Sequence, residues 1–223
     1  MAAAQRRVNW FAIWISVAVV VVVAGVAALV IWMNSAASDP GPTPQSAIVD
    51  AETGAIVFGE GPDTVETYLD FMCPYCAQFE QAEGETIQGL VASNDITLRV
   101  TPVAILDRLS QGTEFSSRAA SAMYAIAVAD PDNVYAFMQA MFASQPAENT
   151  PGLTDEQIVE VARAAGVNVT PELEQSILDH EYLRFAQTRT LPDGAGGTPA
   201  VLVNGELIQV TYNPQTDIVS RLS

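Results

Sequence analysis

The chain has 223 residues and a formal net charge of −17, from 26 acidic residues against 9 basic ones, all arginine. No acid precedes Asp39, so the part from Asp39 onward holds 7 arginines against 26 acids, or 7 − 26 = −19. A domain so charged is repelled by nucleic acid and by anionic lipid surfaces, and its length suits one domain with a sizeable core rather than two.

Residues 1–9 carry Arg6 and Arg7 and read as a cytoplasmic N-terminus. Trp10 to Met33 follows as an uncharged run of 24 residues, centred on the Val- and Ala-rich stretch Val17–Val30. About 20 apolar residues span a bilayer core. Trp10 and Trp14 near one end and Trp32 near the other suit interfacial anchors, and the positive-inside preference puts everything after Asn34 outside the cytoplasm. The competing reading is a cleaved signal peptide, with Ser35, Ala36 and Ala37 as small residues for cleavage. Its apolar region is ordinarily shorter, about 7–15 residues, so length favours an uncleaved anchor over residues 10–33. Residues 34–46 (NSAASDPGPTPQS) read as a semi-extended tether, and 47–223 as the exported domain.

Within that domain, Ile48–Asp50 and Ala55–Phe58 form a candidate hairpin around Glu52-Thr53-Gly54. Thr64–Phe71 is a largely apolar strand that runs directly into Cys73. Pro74 suits the first position of a helix, where its missing N–H costs nothing, and that helix is expected to reach about Ala92. Ile96–Ile105 is the next strand. A helical section over about 112–190 follows, with helices expected at Glu114–Ala129 and Pro131–Ser144. A third is opened by the capping box Thr154/Gln157 and closed at Gly166, and a fourth runs from Thr170-Pro171 to about Thr190. After the breaker Leu191–Gly197, Thr198–Val203 and Glu206–Thr211 make a hairpin about Asn204-Gly205. Asn213-Pro214 caps a short last helix reaching Leu222.

The chain's two cysteines lie three apart, in Cys73-Pro74-Tyr75-Cys76. A loop that small removes little unfolded-state entropy, so the pair is a poor staple and a good redox couple. A thiol at a helix start faces unpaired N–H groups and the positive end of the helix dipole, both of which favour thiolate. Cys73 is therefore the candidate attacking sulfur and Cys76, one turn on, the shielded resolving one. C-x-x-C also binds Cu(I) or half of a zinc site. Zinc wants four ligands, and the only other candidate is His180, in the charged stretch Asp179-His180-Glu181. No metal or cofactor is expected; a copper carrier stays open as an alternative.

The run Leu69-Asp70-Phe71-Met72-Cys73-Pro74-Tyr75-Cys76-Ala77-Gln78-Phe79, a helical insertion, and then Gly197-Thr198-Pro199-Ala200-Val201-Leu202-Val203-Asn204-Gly205 resemble the DsbA-like branch of the thioredoxin superfamily. The resemblance implies an α/β thioredoxin fold with an inserted helical subdomain, preceded here by the one transmembrane helix read from residues 10–33. It implies that Pro199 follows a cis bond beside the redox cysteines, and that Pro74, Tyr75, Thr198 and Pro199 wall the substrate site. Many relatives carry a buried carboxylate six residues before the first cysteine; here that position is Thr67, which leaves Asp70 or water as candidates for proton transfer. The implied activity is an extracytoplasmic dithiol oxidase that gives its disulfide to exported cysteine-containing proteins and is reoxidised by a membrane partner. A reductase or isomerase of the same fold is the alternative, and a peptide-recognition module with incidental cysteines is a further one.

Overall fold

The computed structural model describes residues 10–37 and 41–223. The expected cytoplasmic segment 1–9 and residues 38–40 of the expected tether lie outside the described residues. The chain divides into two units, Met1–Asp39 and Pro40–Ser223. The first contains α1 (Trp10–Ala37), 28 residues long. Its stretch Ile13–Met33 is long and apolar enough to cross a membrane. A helix apolar all round has no polar face to give to water.

The second unit is built on a five-stranded sheet. The strands are β1 (Ile56–Phe58), β2 (Asp63–Leu69), β3 (Ile96–Pro102), β4 (Ala200–Val203) and β5 (Glu206–Ile208), in spatial order β1-β3-β2-β4-β5. β2 and β3 are parallel, from Asp63↔Ile96 to Leu69↔Pro102. A parallel pair needs a crossover, and α2 (Pro74–Ala92) supplies it. β4 returns antiparallel to β2, with Thr67 opposite Val201. Asn204 and Gly205, both at positive φ (51° and 79°), turn β4 into β5. Two consecutive left-handed residues define the tight hairpin turn that the Asn-Gly pair favours. Asn204 also fastens the sheet's end: its Oδ1 accepts from Thr64 N at 2.8 Å and its Nδ2 donates to Asp63 Oδ1 at 2.7 Å.

Between β3 and β4 the chain inserts α3 (Phe115–Ala129), α4 (Val134–Ala143), α5 (Asp155–Ala164), α6 (Pro171–Leu178) and α7 (Leu183–Gln187). Every residue of α3 from Phe115 to Ala127 is buried. Its many Ala and Ser side chains let neighbouring helices close in from all sides, which also erases any amphipathic period. Buried Arg118 pins α3 to its surroundings, donating to Asp155 Oδ1 (2.6 Å), Thr113 O (2.8 Å) and Leu153 O (2.9 Å). The capping box at Thr154 and Gln157 is formed, with Gly166 at φ 90° just past the helix end.

Several elements differ from expectation. β3 stops at Pro102 and β5 at Ile208, short of the expected Ile105 and Thr211, and β4 starts at Ala200 rather than Thr198. The helix expected from Thr170 to about Thr190 is two helices, α6 and α7, broken at Asp179–Tyr182. His180 takes φ 54° there and sets a ring nitrogen 2.9 Å from Asp155 Oδ2, while Tyr182 N donates to Ser121 Oγ. Tertiary bonds thus outweigh the continuity of the helical pattern. Residues Pro131–Asn133 form a 3-10 turn, so α4 itself starts at Val134. The first hairpin is reduced to one bridge, Val49↔Ile56. The last helix, α8 (Pro214–Asp217), is a single turn capped by Asn213 Oδ1 and continued by a 3-10 turn. The folded unit also begins ahead of Ala47, since Pro44 is buried and Ser46 Oγ donates to Ala127 O at 2.6 Å.

Candidate active site

β2 ends at Leu69, and the turn Asp70–Met72 delivers the chain to α2. Cys73 is the residue that caps α2, in extended conformation (φ −79°, ψ 114°), and Pro74 opens the helix. The Cys73 carbonyl accepts from Cys76 N at 2.9 Å, the start of the helical ladder. Two groups brace this loop from outside. Asp70, fully buried, accepts from Met72 N (2.8 Å), Leu106 N (2.9 Å) and Ser116 Oγ (2.6 Å). Gln145, just beyond α4, donates from Nε2 to Phe71 O (3.0 Å) and Cys73 O (2.9 Å). Phe71 adds an apolar tie, its ring 5.0 Å from that of Phe142 on α4.

The two cysteines are unbridged. Their surroundings separate them. Cys76 is fully buried and accepts from Asp70 N at 3.5 Å. Burial first, then the neighbouring Cys73, push its thiol well above the ordinary range. Cys73 is brought down to about 6, chiefly by the Cys76 thiol. Burial opposes that, and Thr198 and the N–H groups of Cys76 and Tyr75 assist it. One sulfur is thus a thiolate at neutral pH and its neighbour a thiol, the asymmetry that a nucleophile and a resolving group require.

The segment before β4 closes the site. Cys73 Sγ lies 3.3 Å from Thr198 O, and the Thr198–Pro199 bond is cis. Pro74 borders a cleft of about 560 Å³ with Ala77, Gln139 and Phe142. Tyr75 stands 61% exposed at the tip of the loop. Cys73, Cys76, Pro74, Tyr75, Thr198 and Asp70 therefore converge on one loop, with Pro199 next in chain. Thr67 is buried with its Oγ1 unpartnered. His180 serves the insertion through Asp155. Among the described residues no group of three or more His, Cys, Asp or Glu is placed to hold a metal ion.

Sequence reasoning missed Gln145, Glu83 and Tyr212. Glu83 lies in the buried stripe of α2 with Cys76, Phe79, Glu80 and Ile87. Its seven-residue spacing from Cys76 is a signal the sequence did offer, because residues seven apart share a helix face. Tyr212, at φ 62°, is partly buried, and its phenol is raised first by burial and then by Cys73, Tyr75, Cys76 and Glu83. Gln145 has no local signal.

Comparison with known proteins agrees with this geometry. Residues 56–219 match the thioredoxin family model, and the chain belongs to that family. Its fold is that of DsbA- and DsbG-type thiol–disulfide oxidoreductases. Oxidised DsbA of Mycobacterium tuberculosis is 29% identical, with a TM-score of 0.62 over 70% of this chain and 86% of that one. The reduced disulfide oxidoreductase DsbG of the same organism is 28% identical, with a TM-score of 0.63 over 82% and 86%. The serine/threonine-protein kinase PknE of M. tuberculosis is 31% identical over 113 residues, 49% of this chain. The chain spans only 20% of that kinase's length.

Proposed function

We propose that this protein is a membrane-anchored, extracytoplasmic dithiol oxidase. It passes the Cys73–Cys76 disulfide to cysteines of exported proteins and is reoxidised by a partner in the membrane. The carrying observation is the mismatch between the two thiols. A Cys73 held at about 6 stabilises the reduced enzyme as a thiolate, whereas the disulfide, which carries no charge, gains nothing from the same groups. Each unit below ambient pH makes the couple about 30 mV more oxidising. Disulfides persist outside the cytoplasm, and the apolar α1 after Arg6 and Arg7 supports that placement, with residues 10–33 in the bilayer and the N-terminus inside.

In this reading a substrate thiolate attacks Cys73, displacing Cys76 and leaving a mixed disulfide. The substrate's second thiolate then displaces Cys73, which departs readily because its thiolate is stabilised. Pro74, Tyr75, Thr198 and Pro199 hold the substrate strand across the pair. Asp70, named from sequence for proton transfer, reaches Cys76 through its backbone N–H, while its carboxylate is occupied by three donors. Equilibration with glutathione redox buffers tests the direction. The oxidase reading expects a potential well above the roughly −270 mV of thioredoxin. A value near thioredoxin's would make the protein a reductase.

A further inference from the structure

Glu83 sits two turns along α2 from Cys76 and is fully buried, yet neither carboxylate oxygen receives a hydrogen bond from any N–H or O–H donor. Beside it lies Asp217 of α8, also fully buried. Asp217 accepts from Thr211 N (2.6 Å) and Thr211 Oγ1 (2.7 Å). Two adjacent buried carboxylates do not both ionise, and donors to one fix the charge there. Asp217 keeps the charge: burial raises it, but the Thr211 donors, Glu83 and the Asn213 N–H together bring it below its ordinary value. Glu83 keeps the proton, raised to about 8 by burial first and then by Asp217. The other elements on α2 do not interfere: Arg99 of β3 is bound to Asp50, and Tyr135 of α4 donates to Glu80. Tyr212, in the link before α8, completes the set, since Cys73, Cys76 and Glu83 all act on its phenol. α8 packs against α2, so this link lies on the side of α2 that carries Glu83.

We propose that Glu83, sharing one proton with Asp217, is the proton-exchange partner of Cys76, reached by way of Tyr212. The inference rests on the disulfide-exchange reading. When a substrate thiolate attacks Sγ of Cys73, the Cys73–Cys76 bond breaks and its electron pair goes to Cys76, while a substrate–Cys73 bond forms. A bare thiolate at Cys76 is buried and unfavourable. The Glu83 proton neutralises it, leaving a carboxylate that solvent reprotonates. In reoxidation Glu83 first yields its proton to solvent; its carboxylate then takes the proton of the Cys76 thiol as that sulfur attacks Cys73 Sγ in a mixed disulfide and displaces the partner's thiolate. The pair takes the place of the carboxylate that position 67 lacks. Asp70 suits the task less, because three donors already hold its oxygens.

The test uses the full chain in detergent and glutathione as the thiol partner, with the rate of mixed-disulfide resolution followed against pH. The wild type is expected to show an inflection near 8. Glu83→Gln, which keeps the shape of the side chain, should abolish that inflection and slow the step about a hundredfold, the low side of what positioned proton transfer contributes. It should leave the Cys73 titration near 6. Asp217→Asn should move the inflection down, since the neighbouring charge is gone, and Asp70→Asn should leave it in place. Infrared spectroscopy should find a protonated carboxyl at neutral pH that changes with redox state and vanishes in Glu83→Gln. A Glu83→Gln profile coinciding with the wild type, or an inflection that follows Asp70, overturns the inference alone. A wild-type chain that does not exchange with glutathione overturns the oxidoreductase reading and this inference with it.

Discussion

Cys73 and Cys76 share a loop, a helix and a chemical type, and differ only in surroundings. The helix start was readable from Pro74, but the largest influence on Cys73 is the thiol one turn on, a contact that only the folded turn makes. This separates two variants. Cys76→Ala removes the donor, so the Cys73 titration should rise clearly above 6. Cys76→Ser keeps a hydroxyl there and should raise it less. Ultraviolet thiolate absorbance against pH checks both; identical curves would show that backbone N–H groups alone set the value. Either variant should also accumulate mixed disulfides when offered a disulfide such as oxidised glutathione, since Cys73 attacks it and no resolving sulfur remains, whereas Cys73→Ala should form none.

Between elements, the redox loop is held as much by the insertion as by the sheet. Gln145 bonds two loop carbonyls from 74 and 72 residues away in sequence. Gln145→Ala removes the Nε2 donor from both carbonyls, leaving Cys73 O only its helical N–H partners, a loss of about 1–3 kcal/mol, and should slow exchange while the fold persists. Gln145→Glu should be worse than Ala, because a carboxylate offers no donor and faces two carbonyl oxygens. Denaturant midpoints and single-turnover exchange rates measure the two effects, and unchanged rates in both variants would reduce Gln145 to a surface residue. The same contrast explains what the sequence disclosed. α2 runs from Pro74 to Ala92 as expected, because proline marks its start and local pattern its length. The Thr154 capping box and the Asn204-Gly205 turn are equally local. The break at His180 was hidden, since no Gly or Pro announces it; its left-handed residue is held by Asp155 and the turn by Ser121, both distant in sequence. Asp217 was hidden for the same reason: it is an ordinary helical acid until α8 lies against α2, and only then does the spacing of Glu83 from Cys76 gain its meaning.

At the scale of the whole molecule, burial sets the pH dependence of stability, and the two redox forms should diverge. Glu83 is raised from 4.5 to about 8 and Asp70 from 3.8 to about 6, both mainly by burial. A carboxyl that binds its proton more tightly when folded loses stability as pH rises between its unfolded and folded values. The disulfide form should therefore weaken steadily from about pH 4 to 8. Below that range Asp50 acts oppositely. Arg99 holds it down to about 2, so its contribution disappears as pH falls from 3.8 through 2. In the reduced form Cys73 adds a reverse slope. Its folded value of about 6 lies below the free thiol's 9.0, so the unfolded state binds more protons there and stability rises with pH between 6 and 9. Reduced and oxidised chains should thus unfold at urea midpoints whose gap widens from pH 6 to 9, followed by circular dichroism at fixed ionic strength to hold the screening of the acidic surface constant. Glu83→Gln should flatten the decline in both forms without closing the gap, and Cys73→Ser, which forms no disulfide, should lack the rise between pH 6 and 9 that the reduced wild type shows. Parallel curves in the wild type would mean that Cys73 is not a stabilised thiolate, and the argument for an oxidising couple would fall with it.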